Sequence, residues 1–142
     1  MTKPPLLSIC LPTFNRAELL EVCLASVLPQ VAENSSEVEC VVSDNASTDA
    51  TEQELIRYQH EFNHRVFRNA TNIGIIGNIT KVAVECACGE FVWLIGDDDV
   101  LAAGAVSRLL EMLRAGPEID LIALNVAFAH STERPTANQA LG

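Results

Sequence analysis

Apolar and polar positions fall along this chain in blocks whose period switches between strand-like and helix-like, and each switch predicts an element. Leu6-Leu7-Ser8-Ile9-Cys10-Leu11 predicts a first strand, stopped by Pro12. Leu19, Leu20, Cys23, Leu24 and Val27 then recur at helical spacing. Asn15 stands where an N-cap belongs, Glu18 completes capping-box spacing, and Pro29 lies just past the expected helix end. A polar loop over 33–37 leads to a second strand over 38–43. Asp44-Asn45-Ala46-Ser47-Thr48-Asp49 is a cluster of turn-forming side chains, and Asp49 with Glu52 starts a second helix that runs to about Phe62. Val66-Phe67 is a short third strand, 69–77 a loop, and 79–88 a third helix with Gly89 as its C′ residue. The five apolar residues Phe91-Val92-Trp93-Leu94-Ile95 predict a buried fourth strand. A fourth helix over 102–115 closes at Gly116-Pro117, and 119–128 predicts a fifth strand whose bare edge invites pairing with a second copy, a homodimer. The tail over 130–142 is polar and aperiodic and is expected to fray.

Strands alternating with helices define an α/β protein with a mostly parallel, Rossmann-like sheet and helices on its faces. At 142 residues the chain makes one domain, here 1–129, with an apolar content of 49% that supports a full core. A net charge of −10 argues against a nucleic-acid backbone as partner; no nucleic acid is expected. No apolar run approaches the ~20 residues of a membrane span, and Met1–Pro5 do not begin a signal peptide. The five cysteines, Cys10, Cys23, Cys40, Cys86 and Cys88, lack metal-knuckle spacing and read as reduced core residues. A cytoplasmic protein, free or at the inner face of the membrane, is the expectation.

In an open parallel sheet, ligands bind outside the carboxyl ends of the strands. Three polar clusters occupy such ends: Thr13-Phe14-Asn15, Asp44-Asn45, and Asp97-Asp98-Asp99. Together they describe one rim for a ligand rich in hydroxyls and phosphates. Glycine-rich phosphate motifs are absent and the only lysines are Lys3 and Lys81. Three adjacent carboxylates with a hard divalent cation, Mg²⁺ or Mn²⁺, are the remaining way to hold a diphosphate.

These same stretches carry a resemblance. Leu7-Ser8-Ile9-Cys10-Leu11-Pro12-Thr13-Phe14-Asn15-Arg16 resembles the opening of family 2 glycosyltransferases, which have the GT-A fold. Val42 through Asp49 resembles their second motif, and Gly89 through Asp99 the strand that ends in their D-x-D-type metal motif. The tryptophan before the aspartates is similar to the abequosyltransferase-like branch, which makes bacterial surface polysaccharide. The resemblance implies that Pro12, Thr13, Asn15, Asp44, Asn72 and Asp97 hold the nucleotide, Asp44 at the base and Asp97 at the ribose, and that the metal lies on Asp98 and Asp99. Gly96 stands where the common motif has its first aspartate, so Asp98 is the leading ligand, and a shift of one residue makes Asp97 and Asp99 the pair. It further implies a nucleoside-diphosphate sugar donor, a saccharide or lipid-linked acceptor, inversion at the anomeric carbon, and a general base beyond Gly142, the chain being the donor-binding part of a longer enzyme.

Each residue also has an ordinary role: Asn15 a helix cap, Thr13 a turn, Asp44 an Asx-turn, Asn72 a loop position, Arg68 a solvated arginine, Trp93 core packing, and His60, His64 and His130 surface positions. Two rival functions follow the same fold. A non-catalytic nucleotide-binding or assembly module keeps the rim without the base. A phospho-acceptor receiver domain fits poorly, because its acid pair would follow the first strand, where Pro12-Thr13-Phe14 stands, and no lysine follows Lys81.

Overall fold

The computed structural model describes residues 3–116 and 118–124. Four strands, β1 (Leu7–Thr13), β2 (Val38–Asp44), β3 (Arg65–Arg68) and β4 (Phe91–Leu94), form one sheet in the order β3-β2-β1-β4. Every pairing is parallel, and the register sets Thr13 beside Asp44, Asp44 beside Arg68, and Cys10 beside Leu94. The connections contain α1 (Ala17–Glu33), α2 (Thr51–Glu61) and α3 (Gly74–Thr80), which runs directly into a π-helical segment, Lys81–Cys86; α4 (Ala105–Ala115) follows the last strand. This is the predicted α/β architecture.

The pleat sorts the residues of β1 to two faces. Leu7, Ile9 and Leu11 join Cys40 and Val42 of β2, Leu20, Leu24 and Val27 of α1, and Val106, Leu109 and Leu110 of α4 in the main core. On the opposite face Cys10 and Val41 pack against Val82 and Cys86 of the π-helical segment. Helices therefore cover both faces, and β1 and β2 are buried throughout except at Pro12 and Glu39. Truncating Ile9 or Leu11 to Ala removes about 2–5 kcal/mol of packing.

Several expectations change. Pro12 lies inside β1 rather than ending it. Cys10 O accepts from Ile95 N on the β4 side and Thr13 O from Asn45 N on the β2 side, so the missing N–H of Pro12 faces the flank where β4 has already ended. α1 likewise continues through Pro29. Around that proline, Ser26 Oγ accepts from Leu101 N, while Gln30 donates to Ser26 O and Ala102 O and accepts from Val106 N. These buried side chains bind the approach to α4 onto α1. The third helix begins at Gly74, inside the expected loop, and the helical run ends at Cys86. Gly89 is not its C′ residue; a Cβ there would stand 2.6 Å from Ser8 N, so glycine permits the chain to cross β1 closely.

Among the described residues β4 is an edge strand with one open face, not a buried one: Val92 and Leu94 are 44% and 43% exposed, while Trp93 packs on the main core. Residues 119–124 are not in a strand, and Leu121 is exposed. The remainder of the expected fifth strand and the tail over 130–142 lie outside the described residues. Cys88 is exposed, whereas the other four cysteines are buried; burial pushes the thiols of Cys10 and Cys40 up to about 12, which leaves them unreactive. His64 is buried as well, with Nδ1 at Phe62 O and no partner for Nε2 among the described residues. Among the described residues no helix is long and apolar enough to cross a membrane.

Candidate functional site

The carboxyl ends of β1, β2 and β4 open onto one cavity of about 570 Å³. Pro12, Thr13, Phe14 and Arg16 line it from the end of β1, Asn45 from the end of β2, and Leu94 through Asp98 from the end of β4. Asn72, Gly74, Ile75, Asn78 and Ile79 close the remaining wall. Pro12, Thr13, Asn72, Asp97 and Asp98, singled out by sequence, thus meet in one place; Asn15, Asp44 and Asp99 stand outside the lining.

The reason lies in local bonding. Asn15 does not cap α1. It adopts a positive φ of 50°, which asparagine tolerates, and its Oδ1 accepts from Thr48 N and Asp49 N at 2.7 and 3.3 Å. Asp49 serves two helices instead: Oδ2 accepts from Ala17 N and Oδ1 from Thr51 N and Oγ1. Burial acts to raise its carboxyl, but these hydrogen bonds outweigh that and hold it below the usual range. Asp44 is buried and occupied: Oδ1 accepts from Ser47 N and Ser47 Oγ, and Oδ2 from Arg68 at 2.7 Å. Arg68 also donates to Ser47 O, so it braces the second loop rather than lying free in solvent.

Below the cavity runs a layer of amides. Asn45 Oδ1 accepts from Ile73 N and from Asn69, and its Nδ2 donates to Asn72 Oδ1 and Gly74 O. Asn78 donates to Ser43 O and accepts from Ser43 Oγ and Asn69. Gly74 N donates to Asn72 Oδ1. The first N–H groups of α3 are thus held by side chains from β2 and its own loop, which is why a glycine-rich stretch is helical here. Lys81 Nζ is bonded to Asn69 Oδ1 at 2.6 Å.

The acidic turn divides its three carboxylates. Asp97 is buried, with Oδ2 accepting from Thr13 Oγ1 at 2.8 Å and Oδ1 facing Arg16 Nη1 at 3.1 Å. Asp98 has a side chain 56% exposed, and its Oδ2 lies 3.6 Å from the same Nη1. Asp99 Oδ2 accepts from Gly96 N and closes the turn on itself. The turn does not cap α4, whose N-cap is Gly104. At Gly96 a Cβ would stand 2.6 Å from Asp98 Oδ1, so the absent side chain leaves room that the Asp98 carboxylate uses. Beneath, the Cys23 thiol lies 3.6 Å from Gly96 O; burial pushes it up, and Cys40 and the three aspartates add to that, so it stays neutral.

Two oxygens, on Asp97 and Asp98, therefore converge on one point, now held by a guanidinium nitrogen. Hard divalent ions take one or two carboxylates and complete their shell with phosphate and water, and this donor set fits that mode. Among the described residues no three His, Cys, Asp or Glu side chains form a cage that would hold a metal without a ligand's help. Arg16 and Asn78 are polar lining residues to which the sequence reading gives no role, whereas Asn45 enters it only as a member of the rim cluster Asp44-Asn45. Arg16 and Asn45 lie within the stretches that carry the motifs, but their partners are distant in the chain.

A parallel sheet with polar loops gathered at its carboxyl ends defines an α/β domain that holds its ligand there. The model of the family described as Glycosyl transferase family 2 matches residues 8–140. The abequosyltransferase RfbV of Salmonella typhimurium is 36% identical over 118 residues, 82% of this chain and 35% of that protein. A glucosyltransferase of Campylobacter jejuni named for the acceptor GalNAc(5)-diNAcBac-PP-undecaprenol is 35% identical over 79% of this chain and 36% of its own length. Staphylococcus aureus TarS, solved with UDP-GlcNAc, superposes with a TM-score of 0.66 at 28% identity, covering 78% of this chain and 32% of that one. The chain belongs to glycosyl transferase family 2 and has the GT-A fold. It spans about a third of the length of the relatives it matches.

Proposed function

We propose that this chain forms the donor-binding part of a metal-assisted glycosyltransferase that passes a sugar from a nucleoside diphosphate to a saccharide or lipid-linked acceptor, with inversion. The observation that carries the reading is the convergence of Thr13, Asn45, Asn72, Asp97 and Asp98, from loops far apart in the chain, on one cavity, with Thr13 bonded to Asp97 across 84 residues. Family membership supports a glycosyltransferase, and TarS, the relative solved with UDP-GlcNAc, supports a nucleotide-sugar donor.

In this reading Phe14 and the amide layer face the nucleoside, an exposed ring suiting a flat base. Asp97, fixed by Thr13, offers a carboxylate to the ribose hydroxyls. Asp98, with Asp97 or Asp99 beside it, would hold Mg²⁺ or Mn²⁺, which supplies charge neutralisation for the departing diphosphate. Asp44 sets the shape of the second loop through Ser47 and Arg68; it reaches a base only by giving up one of those bonds. The chain spans about a third of the length of its relatives, and in this reading the general base and the acceptor surface are assigned to the part of such enzymes that it does not cover. The cytoplasm, at the inner membrane face where lipid-linked acceptors are built, is the proposed place of work.

Calorimetry with uridine, cytidine and guanosine diphosphates, with and without Mn²⁺, tests this. One of them should bind, and more tightly with Mn²⁺. Absence of heat from all three would overturn the reading.

A further inference from the structure

Charge at the cavity points to a role for Arg16. Among the described residues that line the cavity, it is the one basic side chain. Its Nη1 alone makes both acidic contacts, 3.1 Å to Asp97 Oδ1 and 3.6 Å to Asp98 Oδ2, and its side chain is 52% exposed. The two other arginines at the sheet are more firmly tied. Arg68 spreads two nitrogens over Asp44 and Ser47 O, and Arg65 holds Glu39, Cys86 O and Cys88. Arg16 also precedes α1 with φ −136° and ψ 44°, outside helical geometry, so the first turn does not fix its direction.

A pair of carboxylates with one guanidinium carries a net negative charge, which repels a diphosphate. A divalent ion reverses that sign only if it reaches the oxygens that Arg16 now covers. We propose that Arg16 is a resident counter-cation: it neutralises Asp97 and Asp98 while the cavity is empty of ligand, yields their oxygens to the divalent ion, and then turns its freed fork to the phosphates. The inference rests on the donor-site reading above and assigns the residue that couples metal entry to diphosphate entry. Guanidinium suits both positions, because its planar donors match carboxylate and phosphate alike.

The test separates the two halves of the role and needs no turnover. Mn²⁺ affinity is measured by electron paramagnetic resonance on the whole chain, first with Mn²⁺ alone and then with inorganic pyrophosphate, a probe indifferent to the base. Arg16→Gln should bind Mn²⁺ alone about two- to fivefold more tightly, since an exposed ion pair no longer competes. With Mn²⁺ saturating, the same variant should bind pyrophosphate about tenfold more weakly, the scale of a lost charge-assisted contact. Arg16→Lys, which keeps the charge, should restore wild-type Mn²⁺ affinity but only part of the pyrophosphate affinity. Arg108→Gln, on α4 and outside the cavity lining, controls for net charge and should change neither. Unchanged or weaker Mn²⁺ binding by Arg16→Gln, or equal tightening by Arg108→Gln, overturns the proposal. Wild-type protein that binds a nucleoside diphosphate with Mn²⁺ while Arg16→Gln matches it in every measurement overturns this inference alone. Wild-type protein that binds no nucleoside diphosphate overturns the donor reading.

Discussion

Glu39 and Asp98 each face an arginine, one toward the amino ends of the strands and one at their carboxyl ends. Glu39 accepts from Ser8 Oγ and Cys88 N through Oε1 and from Arg65 through Oε2. Its arginine is in turn held by Cys86 O and Cys88. Among the described residues Asp98 pairs only with Arg16, at 3.6 Å, and both side chains are more than half exposed. A carboxylate whose oxygens are all taken stabilises a fold and has nothing left for a ligand. One that is wet, loosely paired and set beside a cavity contributes little to folding and is available. The same chemical pair is therefore saturated at one end and left open to a ligand at the other, and the count of satisfied lone pairs separates them.

Glu39→Ala should break this contrast most severely. It leaves the Ser8 hydroxyl and the N–H of Cys88 without their carboxylate acceptor and removes the ion-pair partner of Arg65, and the expected loss is about 3 kcal/mol in denaturant unfolding. Nucleotide binding by the folded fraction should persist. The pH dependence has the same origin. Burial acts to raise the Glu39 carboxyl, but hydrogen bonds from Ser8, Cys88 and Arg65 outweigh it and the net shift is downward from 4.5. A depressed folded value means stability fully present above the unfolded value and lost as pH falls through 4.5 and below.

Asn78→Ala comes next. Asn78 ties Ser43 and Asn69 to α3 from a buried position, and about 2 kcal/mol should go with it. Because the amide layer is also the cavity wall, nucleotide affinity should fall too, unlike in Glu39→Ala. Calorimetry beside the unfolding curve checks that difference.

A smaller effect is expected at His64, which precedes Arg65 in the chain but whose ring meets Phe62 O rather than either clasp. Burial lowers its imidazole below 6.5, so the unfolded chain takes up the proton first and stability should decline as pH drops through 6.5. Thermal unfolding between about pH 7.5 and 5.5 should show that slope, and His64→Leu should flatten it without altering the separate loss at lower pH that Glu39 governs.

What the sequence disclosed and what it withheld divide along the same line. The succession of the four strands along the chain and the parallel character of the sheet followed from local periodicity, and the three rim loops from their polar residues at strand ends. Most of the misreadings involve partners far along the chain. Pro12 and Pro29 read locally as stops because the open flank of β1 and the polar partners near Pro29 come from packing. Residues 74–77 read as a loop because Ile73 N, just ahead of α3, is held by Asn45, 28 residues away. Asn15 reads as a cap because Asp49, 32 residues on from Ala17, does that work there. His64 reads as exposed because nothing local marks a buried imidazole. At the site, the residue types were legible, whereas the partition of Asp44, Asp97, Asp98 and Asp99 into saturated and available carboxylates depends on where Thr13, Arg16, Ser47 and Arg68 fall in space.

The least destabilising substitution is the most discriminating. Asp98→Ala removes a carboxylate with a single long ion pair and no buried donor to strand, so unfolding free energy should stay within about 0.5 kcal/mol of wild type. If Asp98 is one of the two oxygens offered to a cation, that silent change should nonetheless abolish the tightening of nucleoside diphosphate binding by Mn²⁺. Asp99→Ala is the informative partner: Asp99 already accepts from Gly96 N, so its loss should loosen the turn, yet leave part of the Mn²⁺ effect if Asp97 and Asp98 are the ligands. A larger loss of the Mn²⁺ effect from Asp99→Ala than from Asp98→Ala would move the cation to the pair Asp97 and Asp99. The contrast between the two ends of the sheet would then have to be redrawn, with a carboxylate already engaged by the backbone serving as ligand.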